Sequence, residues 1–141
     1  MYLLVLEKYN TRKMITHADD NDKIWIEQLF YKYREQLNSD FDSAWNRYVN
    51  NPRDYFIVDR DLRSFCHYYL HEDGTKSIRE IAVETPQKGA GSALIKCLGS
   101  DIIVATYRNE KAKKFYKNNG FYEFGEVLDN KNREMVVYVK D

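Results

Sequence analysis

The chain has 141 residues, of which 43% are hydrophobic, and its 22 Lys and Arg balance its 22 Asp and Glu. This length predicts a single domain over residues 1–141, because a chain of about 150 residues buries roughly 68–70% of its unfolded surface. Zero net charge excludes proteins that hold nucleic acid or an anionic membrane through bulk positive charge. No apolar run exceeds a few residues, so the composition also excludes a membrane span.

The N-terminal segment and the cysteines indicate a cytoplasmic protein. Residues 1–7 have neither a basic flank nor an apolar stretch of signal-peptide length. Cys66 and Cys97 lie far apart and form no Cys-x-x-Cys motif. We therefore expect two reduced thiols in a reducing compartment.

In chain order, the first elements are one strand and two helices. A strand is predicted over Tyr2–Tyr9, followed by a polar connection over Asn10–Asn21. From Asp22 onward, apolar residues at helical spacing predict a helix whose stripe comprises Ile26, Leu29, Phe30, Tyr33 and Leu37. Ser39 with Asp42 resembles a capping arrangement. It begins a second helix, whose stripe comprises Phe41, Ala44, Trp45, Tyr48 and Val49.

Strands and two further helices make up the rest of the chain. Asp73-Gly74 is a hairpin signal, Gly89 and Gly91 open one helix, and Asn109 suits the N-cap of another. The predicted strands are Tyr55–Val58, Leu62–Leu70, Ser77–Val83, Asp101–Thr106, Phe121–Val127 and Arg133–Val139. The order β-α-α-β-β-β-α-β-α-β-β predicts an α/β (α+β) domain, in which a mixed central sheet carries helices on both faces.

A glycine-containing loop connects one of these strands to a helix. Gly89-Ala90-Gly91 exposes successive backbone N–H groups at a helix N-terminus, which carries about half a positive charge. This arrangement suits a pyrophosphate, and a turn that merely needs small residues is the alternative. A dinucleotide-binding motif would need Gly or Ala at position 94, where the chain has Leu94.

A second motif follows, Asn109-x-x-Ala112-x-x-Phe115-Tyr116-x-x-x-Gly120-Phe121. Together the two segments, within residues 77–125, resemble the Gcn5-related N-acetyltransferase (GNAT) family. Similar loops carry Arg or Gln three residues before the first glycine, whereas this chain has Pro86 there and Gln87 one position later. The connection from Val83 to Gly89 is also shorter than is usual in the family.

The resemblance implies an enzyme that transfers an acetyl group from acetyl-coenzyme A to a primary amine by direct attack in a ternary complex. It implies that the main chain of Ile81, Ala82 and Val83 pairs with the pantetheine arm, and that Val83 or a neighbouring amide stabilises the oxyanion. Asn109 would contact the cofactor arm or the gap between splayed strands, with a plain helix cap as the alternative. The amides that would hold the pyrophosphate are those of Lys88, Gly89, Ala90, Gly91, Ser92 and Ala93.

Two residues are predicted to carry the chemistry. The tyrosine of Phe-Tyr lies beside the sulfur in similar enzymes, and a phenol can donate a proton to the departing thiolate, so Tyr116 is the predicted acid. Packing on the helix stripe is its alternative role. Glu80 is the predicted base, on the same strand face as Ile78 and Ala82 by two-residue alternation. An ion pair or solvent exposure is its alternative, and Glu84 or water alone are weaker candidates for the base.

Other functional classes stay open. One is a catalytically idle module that binds CoA or a protein; another is a modifier of nucleic-acid or nucleotide amines, which the basic segment Arg108–Lys117 supports and the zero net charge disfavours. His67 and His71 on one strand would lie about 13 Å apart, too far for one ion, so no metal site is predicted. The acceptor would be a small-molecule or protein amine, and monomer and homodimer are both open. Four aromatic residues suggest a lined acceptor groove: Trp45, Tyr48, Tyr55 and Tyr138.

Overall fold

The computed structural model describes residues 15–141, so the predicted strand Tyr2–Tyr9 lies outside the described residues. Within them the strands are β1 (Ile15–His17), β2 (Asp54–Asp59), β3 (Ser64–Leu70), β4 (Lys76–Val83), β5 (Ile102–Tyr107), β6 (Tyr122–Leu128) and β7 (Glu134–Lys140). The helices are α1 (Lys23–Lys32), α2 (Phe41–Asn50), α3 (Ala90–Leu98) and α4 (Glu110–Asn118), with a short 3₁₀ turn at Asp20–Asp22 before α1.

The strands form one mixed sheet in the order β1-β2-β3-β4-β5-β7-β6. The β4–β5 pair is parallel, and every other pair of neighbouring strands in the described sheet is antiparallel. The hairpin at Asp73-Gly74 joins β3 to β4, as predicted. The predicted fold class, a mixed sheet in an α/β (α+β) domain, is confirmed.

Two hydrophobic cores, one on each face of the sheet, explain why the helices lie where they do. Leu94, Ile95 and Leu98 of α3 and Tyr116 of α4 pack on one face. On the other face the α1 stripe packs with α2 against β2 and β3, and its core members are Ile26, Leu29, Phe30, Ala44, Trp45, Phe56, Val58 and Phe65. The sheet therefore carries helices on both faces. Among the described residues, no helix combines the length and apolar character that crossing a membrane requires.

Three local predictions were wrong. The predicted polar connection contains β1, whose residues pair with β2 from Ile15 opposite Asp59. The cap of α2 is Asp40 rather than Ser39, because the Asp40 carboxylate accepts from the Ser43 amide at 2.8 Å. Val49 is 58% exposed and does not belong to the buried stripe.

Candidate active site

Strands β4 and β5 separate after a short parallel pairing, which opens a gap in the sheet. They pair only over Lys76–Ile78 and Ile102–Val104 among the described residues. Beyond that point β5 pairs with β7, and β4 pairs with β3. One main-chain edge of β4, from Glu80 to Val83, therefore faces the gap.

The alternation of antiparallel hydrogen bonds decides which β4 residues present main-chain groups to this gap. The Glu84 amide donates to the Arg63 carbonyl oxygen at 3.0 Å, so Glu84 faces β3. By alternation the main chain of Ala82 also faces β3, whereas that of Ile81 and Val83 faces the gap. Of the three residues predicted to pair through their main chain with the pantetheine arm, Ile81 and Val83 face the gap and Ala82 does not.

Tyr33, at the C-terminal end of α1, reaches this edge of β4. Its hydroxyl donates to the Val83 carbonyl oxygen at 2.8 Å, and the neighbouring Lys32 ammonium donates to the Glu84 carbonyl oxygen at 2.8 Å. The Val83 amide and both main-chain groups of Ile81 remain free within the described part of the chain. The sequence placed Tyr33 on an apolar stripe and gave no signal that its hydroxyl binds β4.

Two adjoining clefts follow the gap. The larger has a volume of about 280 Å³, is mainly apolar and includes Ala112 and Phe115 of α4 in its lining. The smaller, of about 110 Å³, lies between the diverging strands and includes Glu80. Ile81 and Tyr116 line both. The two residues predicted to carry the chemistry, Tyr116 and Glu80, thus meet at one cleft.

The loop before α3 presents free backbone N–H groups. Gly89 has a φ of 79°, in the left-handed region, and no side chain caps the helix. The first helical hydrogen bond runs from the Ala93 amide to the Gly89 carbonyl oxygen at 3.0 Å, so the amides of Ala90–Ser92 have no partner within the helix. The Ala93 amide, which was predicted to donate to the pyrophosphate, is already bonded within the helix. Of the amides predicted to hold the pyrophosphate, those of Lys88–Ser92 remain.

Gly91 allows this loop to pack closely against α4. A Cβ at this position would lie 2.9 Å from Cε1 of Phe115 and 3.7 Å from Cγ1 of Val83. The position therefore requires glycine because of space, not because of backbone conformation. Gly91, Phe115 and Val83 all line the larger cleft, so this contact joins the two sequence motifs into one wall.

The Tyr116 side chain is packed in the core, while its hydroxyl is unpartnered. Its ring stacks on Tyr138 at a centroid distance of 5.2 Å and meets Phe115 and Phe121 edge-on, at 5.1 Å each. The hydroxyl makes no hydrogen bond to any residue from 15 to 141, although Tyr116 lines both clefts. Burial raises the pKa of Tyr116 above that of an ordinary phenol, which keeps it protonated at neutral pH.

Glu80 is 3% exposed, and its carboxylate is bonded rather than free. Its Oε1 lies 2.6 Å from Nδ1 of His67, and Nε2 of His67 lies 2.8 Å from Oδ1 of Asp54. The ion-pair alternative for Glu80 is therefore present, yet Glu80 also lines the smaller cleft. The sequence did not single out His67 or Asp54 as its partners.

A β-bulge explains this arrangement and corrects the predicted strand face. Tyr68 lies opposite Ile78 and His67 lies opposite Glu80, so Arg79 is an extra residue in β4. Ile78 packs in the core beneath α3 and α4, while Ala82 packs in the core beneath α1 and α2. Two-residue alternation through the bulge is therefore wrong for Glu80, which shares a face with Ala82 and not with Ile78.

The fold can be compared with solved structures. A protein assigned to the GNAT acetyltransferases, from Desulfovibrio desulfuricans, matches over 88% of this chain and 95% of its own, with a TM-score of 0.69 and 15% identity. Ard1 from Thermoplasma volcanium matches over 91% and 98%, with a TM-score of 0.67 and 15% identity. The aminoglycoside acetyltransferase AAC(6')-Ib, in complex with coenzyme A and kanamycin, matches over 89% and 93%, with a TM-score of 0.65 and 14% identity. The chain has the GNAT fold. No protein-family model and no curated protein sequence matches the chain.

Within this GNAT fold, Asn109 has the role that was predicted as its alternative. Its Oδ1 accepts from the amides of Lys111 and Ala112 at 2.8 and 3.2 Å, which caps α4. Asn109 lines neither of the two clefts at the gap. Its contact with a cofactor arm stays a prediction.

The predicted aromatic groove is wrong. Trp45 and Tyr48 pack beneath α1 and α2, whereas Tyr138 is in the core on the opposite face of the sheet. Tyr55 stacks on Tyr68 at 5.3 Å. None of these four residues lines either cleft at the gap, and Trp45 and Tyr138 are buried. Among residues 15–141, no group of three or more His, Cys, Asp or Glu side chains is arranged to hold a metal ion.

A further cavity lies beside the gap. Its volume is about 870 Å³, and it separates the α1–α2 connection from Lys131 and Arg133 near the β6–β7 turn. It shares Leu37 and Asn38 with the smaller cleft, so the two spaces adjoin. Its lining carries both signs of charge.

Proposed function

We propose that the chain is an acyl-CoA-dependent N-acetyltransferase, which moves an acetyl group from acetyl-CoA to a primary amine by direct attack in a ternary complex. One observation carries this proposal: the main-chain edge of β4 is unpaired at Ile81 and Val83, beside a cleft where Tyr116 and Glu80 meet. GNAT-fold neighbours bound to acetyl-CoA or coenzyme A support the choice of donor.

The residues at the gap fit the two chemically distinct parts of acetyl-CoA. Its pantetheine arm carries amides, which can pair with the free main-chain groups of Ile81 and Val83 as an added strand would. Its pyrophosphate is anionic and suits the free amides of Ala90–Ser92 at the N-terminus of α3. Acetyl-CoA would supply a thioester, whose carbonyl carbon is attacked by the amine and whose sulfur departs.

Tyr116 is proposed as the acid. Its hydroxyl is free to donate, because no described residue occupies it, and its raised pKa keeps the proton in place at neutral pH. Donation of this proton to the departing sulfur avoids release of a bare thiolate.

Glu80 is proposed as the base. Two protons leave the acceptor nitrogen during the reaction, one from the ammonium and one as the amide forms. The first passes to Glu80 and then to solvent, and the second restores the proton that Tyr116 gives to the sulfur. The overall reaction converts an ammonium and a thioester into an amide, a thiol and one proton, so the steps balance.

The acceptor site proposed here is the cavity of about 870 Å³ that adjoins the smaller cleft. Because it adjoins the smaller cleft that Glu80 lines, it suits an amine approaching from the side of the α1–α2 connection. A small-molecule or protein amine is the proposed partner, and the kanamycin complex of AAC(6')-Ib supports the small-molecule class. Both described cysteines, Cys66 and Cys97, are free, which supports a cytoplasmic location.

Ligand-dependent thermal unfolding tests the donor. Acetyl-CoA and CoA, each at about 100 times Kd, should raise the unfolding free energy by about 2.7 kcal/mol. ATP is the matched control, because it has the adenine and phosphates without the pantetheine arm. No rise with either CoA species would refute the proposed function.

Thiol release from acetyl-CoA tests the reaction. A panel of amines, amino acids, peptides, aminoglycosides and nucleotides is assayed for free CoA, and at least one amine should accelerate release above the rate in buffer. Thermal stabilisation by CoA without acceleration by any amine would instead identify a catalytically idle CoA-binding module. Acceleration by an oligonucleotide alone would identify a modifier of nucleic-acid amines.

A further inference from the structure

A network of four polar residues lies at the smaller cleft, which Glu80 and Arg79 line, and the predicted chemistry uses only Glu80. From the cleft inward, Glu80 contacts His67 and His67 contacts Asp54, at 2.6 and 2.8 Å. The last member of the network is Arg79, whose Nε donates to the same Asp54 oxygen at 2.7 Å. The side chains of His67 and Asp54 have no exposed surface. This is a built network rather than a surface ion pair.

The geometry of this network fixes how many hydrogens its members must share. Each of the two contacts of His67 needs one hydrogen, and a neutral imidazole supplies only one. The second hydrogen makes His67 an imidazolium or makes one carboxyl neutral. Arg79 bonds to Asp54, so Asp54 is the carboxylate that is already stabilised in its charged form. The undecided proton lies between His67 and Glu80.

Charge balance favours the arrangement with His67 as imidazolium. The contacts of its ring to Glu80 and Asp54, at 2.6 and 2.8 Å, are both within hydrogen-bond distance of a carboxylate oxygen. With His67 as imidazolium, its charge and that of Arg79 balance Glu80 and Asp54, so the buried group is neutral overall. Phe56 stacks on the His67 ring at 4.5 Å and holds its plane.

We propose that His67, held by Asp54, is a positioning residue that keeps the Glu80 carboxylate ionised and fixed at the cleft. The bond to His67 occupies Oε1 of Glu80. The other carboxylate oxygen, which has no partner among the described residues, is then available to accept a proton from the acceptor ammonium. This inference rests on the proposed function, because it gives Glu80 the role of base.

The groups that face this network are few. Asp54 on β2 and Arg79 on β4 belong to the network, and Tyr116 on α4 lines the same smaller cleft as Glu80. Cys66 on β3 packs in the core of the opposite face. Loss of the imidazolium would remove a cation beside Glu80, so Glu80 would bind its proton more tightly. The acidic limb of activity would then move to higher pH.

Nitrogen NMR of ¹⁵N-histidine-labelled protein tests the protonation state without turnover. The chain has three histidines, and the exposed His17 and His71 serve as internal references. At neutral pH, both ring nitrogens of His67 should carry hydrogen-bonded protons. Glu80→Gln should remove the proton from one of them. A bare ring nitrogen on His67 in the unaltered protein would overturn the proposal.

Kinetics test the consequence. With an amine that wild type acetylates, His67→Gln should lower kcat on the order of tenfold or more and move the acidic limb upward, with the KM for acetyl-CoA within about twofold. Asp54→Asn should do the same to a smaller extent, and thermal stabilisation by CoA shows that each variant is folded. His71→Gln is the matched control and should leave the profile unchanged.

A folded His67→Gln variant with the wild-type kcat and pH profile would refute the positioning role while leaving the acetyltransferase proposal intact. Failure of wild type to acetylate any amine would refute the proposed function before any variant is compared. In that case the NMR result still decides whether His67 carries both protons.

Discussion

Replacing Tyr116 with Phe removes one hydroxyl and leaves the contacts of the ring in place. The hydroxyl has no partner among the described residues, so its removal breaks no hydrogen bond within that part of the protein. The ring keeps its stacking on Tyr138 and its edge contacts with Phe115 and Phe121. We therefore expect Tyr116→Phe to change the unfolding free energy by less than about 0.5 kcal/mol.

The same change should be costly for catalysis. Removal of a general acid lowers rates by about 10²–10⁴-fold, which corresponds to roughly 2.7–5.4 kcal/mol of transition-state stabilisation. The loss should fall on kcat, because the hydroxyl acts when the sulfur departs, and the KM for acetyl-CoA should stay within about threefold. Steady-state thiol release with an amine from the panel measures both constants.

Tyr68→Phe is the matched control. Tyr68 packs against the same core as Tyr116, its hydroxyl has no partner among the described residues, and it lines neither cleft at the gap. Burial raises the pKa of Tyr68 to about 12, so it too is a protonated phenol at neutral pH. Equal kcat values for wild type and Tyr116→Phe, or equal losses in the two variants, would refute the role of Tyr116.

Two further predictions concern the loop and the acid stability of the fold. Gly91→Ala places a Cβ 2.9 Å from Phe115, so thermal unfolding should show a loss of about 1–3 kcal/mol and a smaller shift with acetyl-CoA. Gly125→Ala meets nothing within 4 Å and is the control; equal behaviour of the two variants would contradict the close contact. Burial opposes ionisation of Asp22, but hydrogen bonds, that from Arg60 foremost, hold its pKa below the usual value. Because the folded pKa is the lower one, Asp22 adds stability above about pH 4 that is lost as pH falls through the folded pKa. In denaturant titrations at several pH values, the unfolding free energy of Asp22→Asn should fall less steeply at low pH than that of wild type. An equally steep fall in both proteins would contradict the argument.

Much of the fold could be predicted because the signals are local. The Asn109 side chain caps α4 through amides two and three residues later, so its role is readable from one turn of sequence. The α1 stripe is equally local, and Ile26, Leu29 and Phe30 are buried as predicted. Spacing within one helix needs no knowledge of what the helix packs against.

Features that depend on distant partners could not be predicted. The three residues of β1 form a strand because β2, some forty residues later, supplies the pairing. The Tyr33 hydroxyl binds Val83, fifty positions away in sequence, although apolar spacing classed it as a packing residue. The aromatic residues were wrongly predicted to lie together. Trp45 and Tyr138 were expected to line one groove because both are aromatic, but they lie on opposite faces of the sheet.

The contact between Glu80 and His67 shows most clearly why the candidate site could not be predicted from the sequence pattern alone. Counting back from the Asp73-Gly74 turn, regular pairing continues from Tyr68 opposite Ile78 to His67 opposite Arg79. The bulge shifts this register by one residue, so that His67 lies opposite Glu80 instead. A one-residue shift reverses the face of every later side chain in a strand, which moves Glu80 from the face of Ile78 to that of His67. The bond that we propose keeps Glu80 ionised thus depends on an irregularity that no periodicity encodes, and a regular β4 would pair His67 with an arginine.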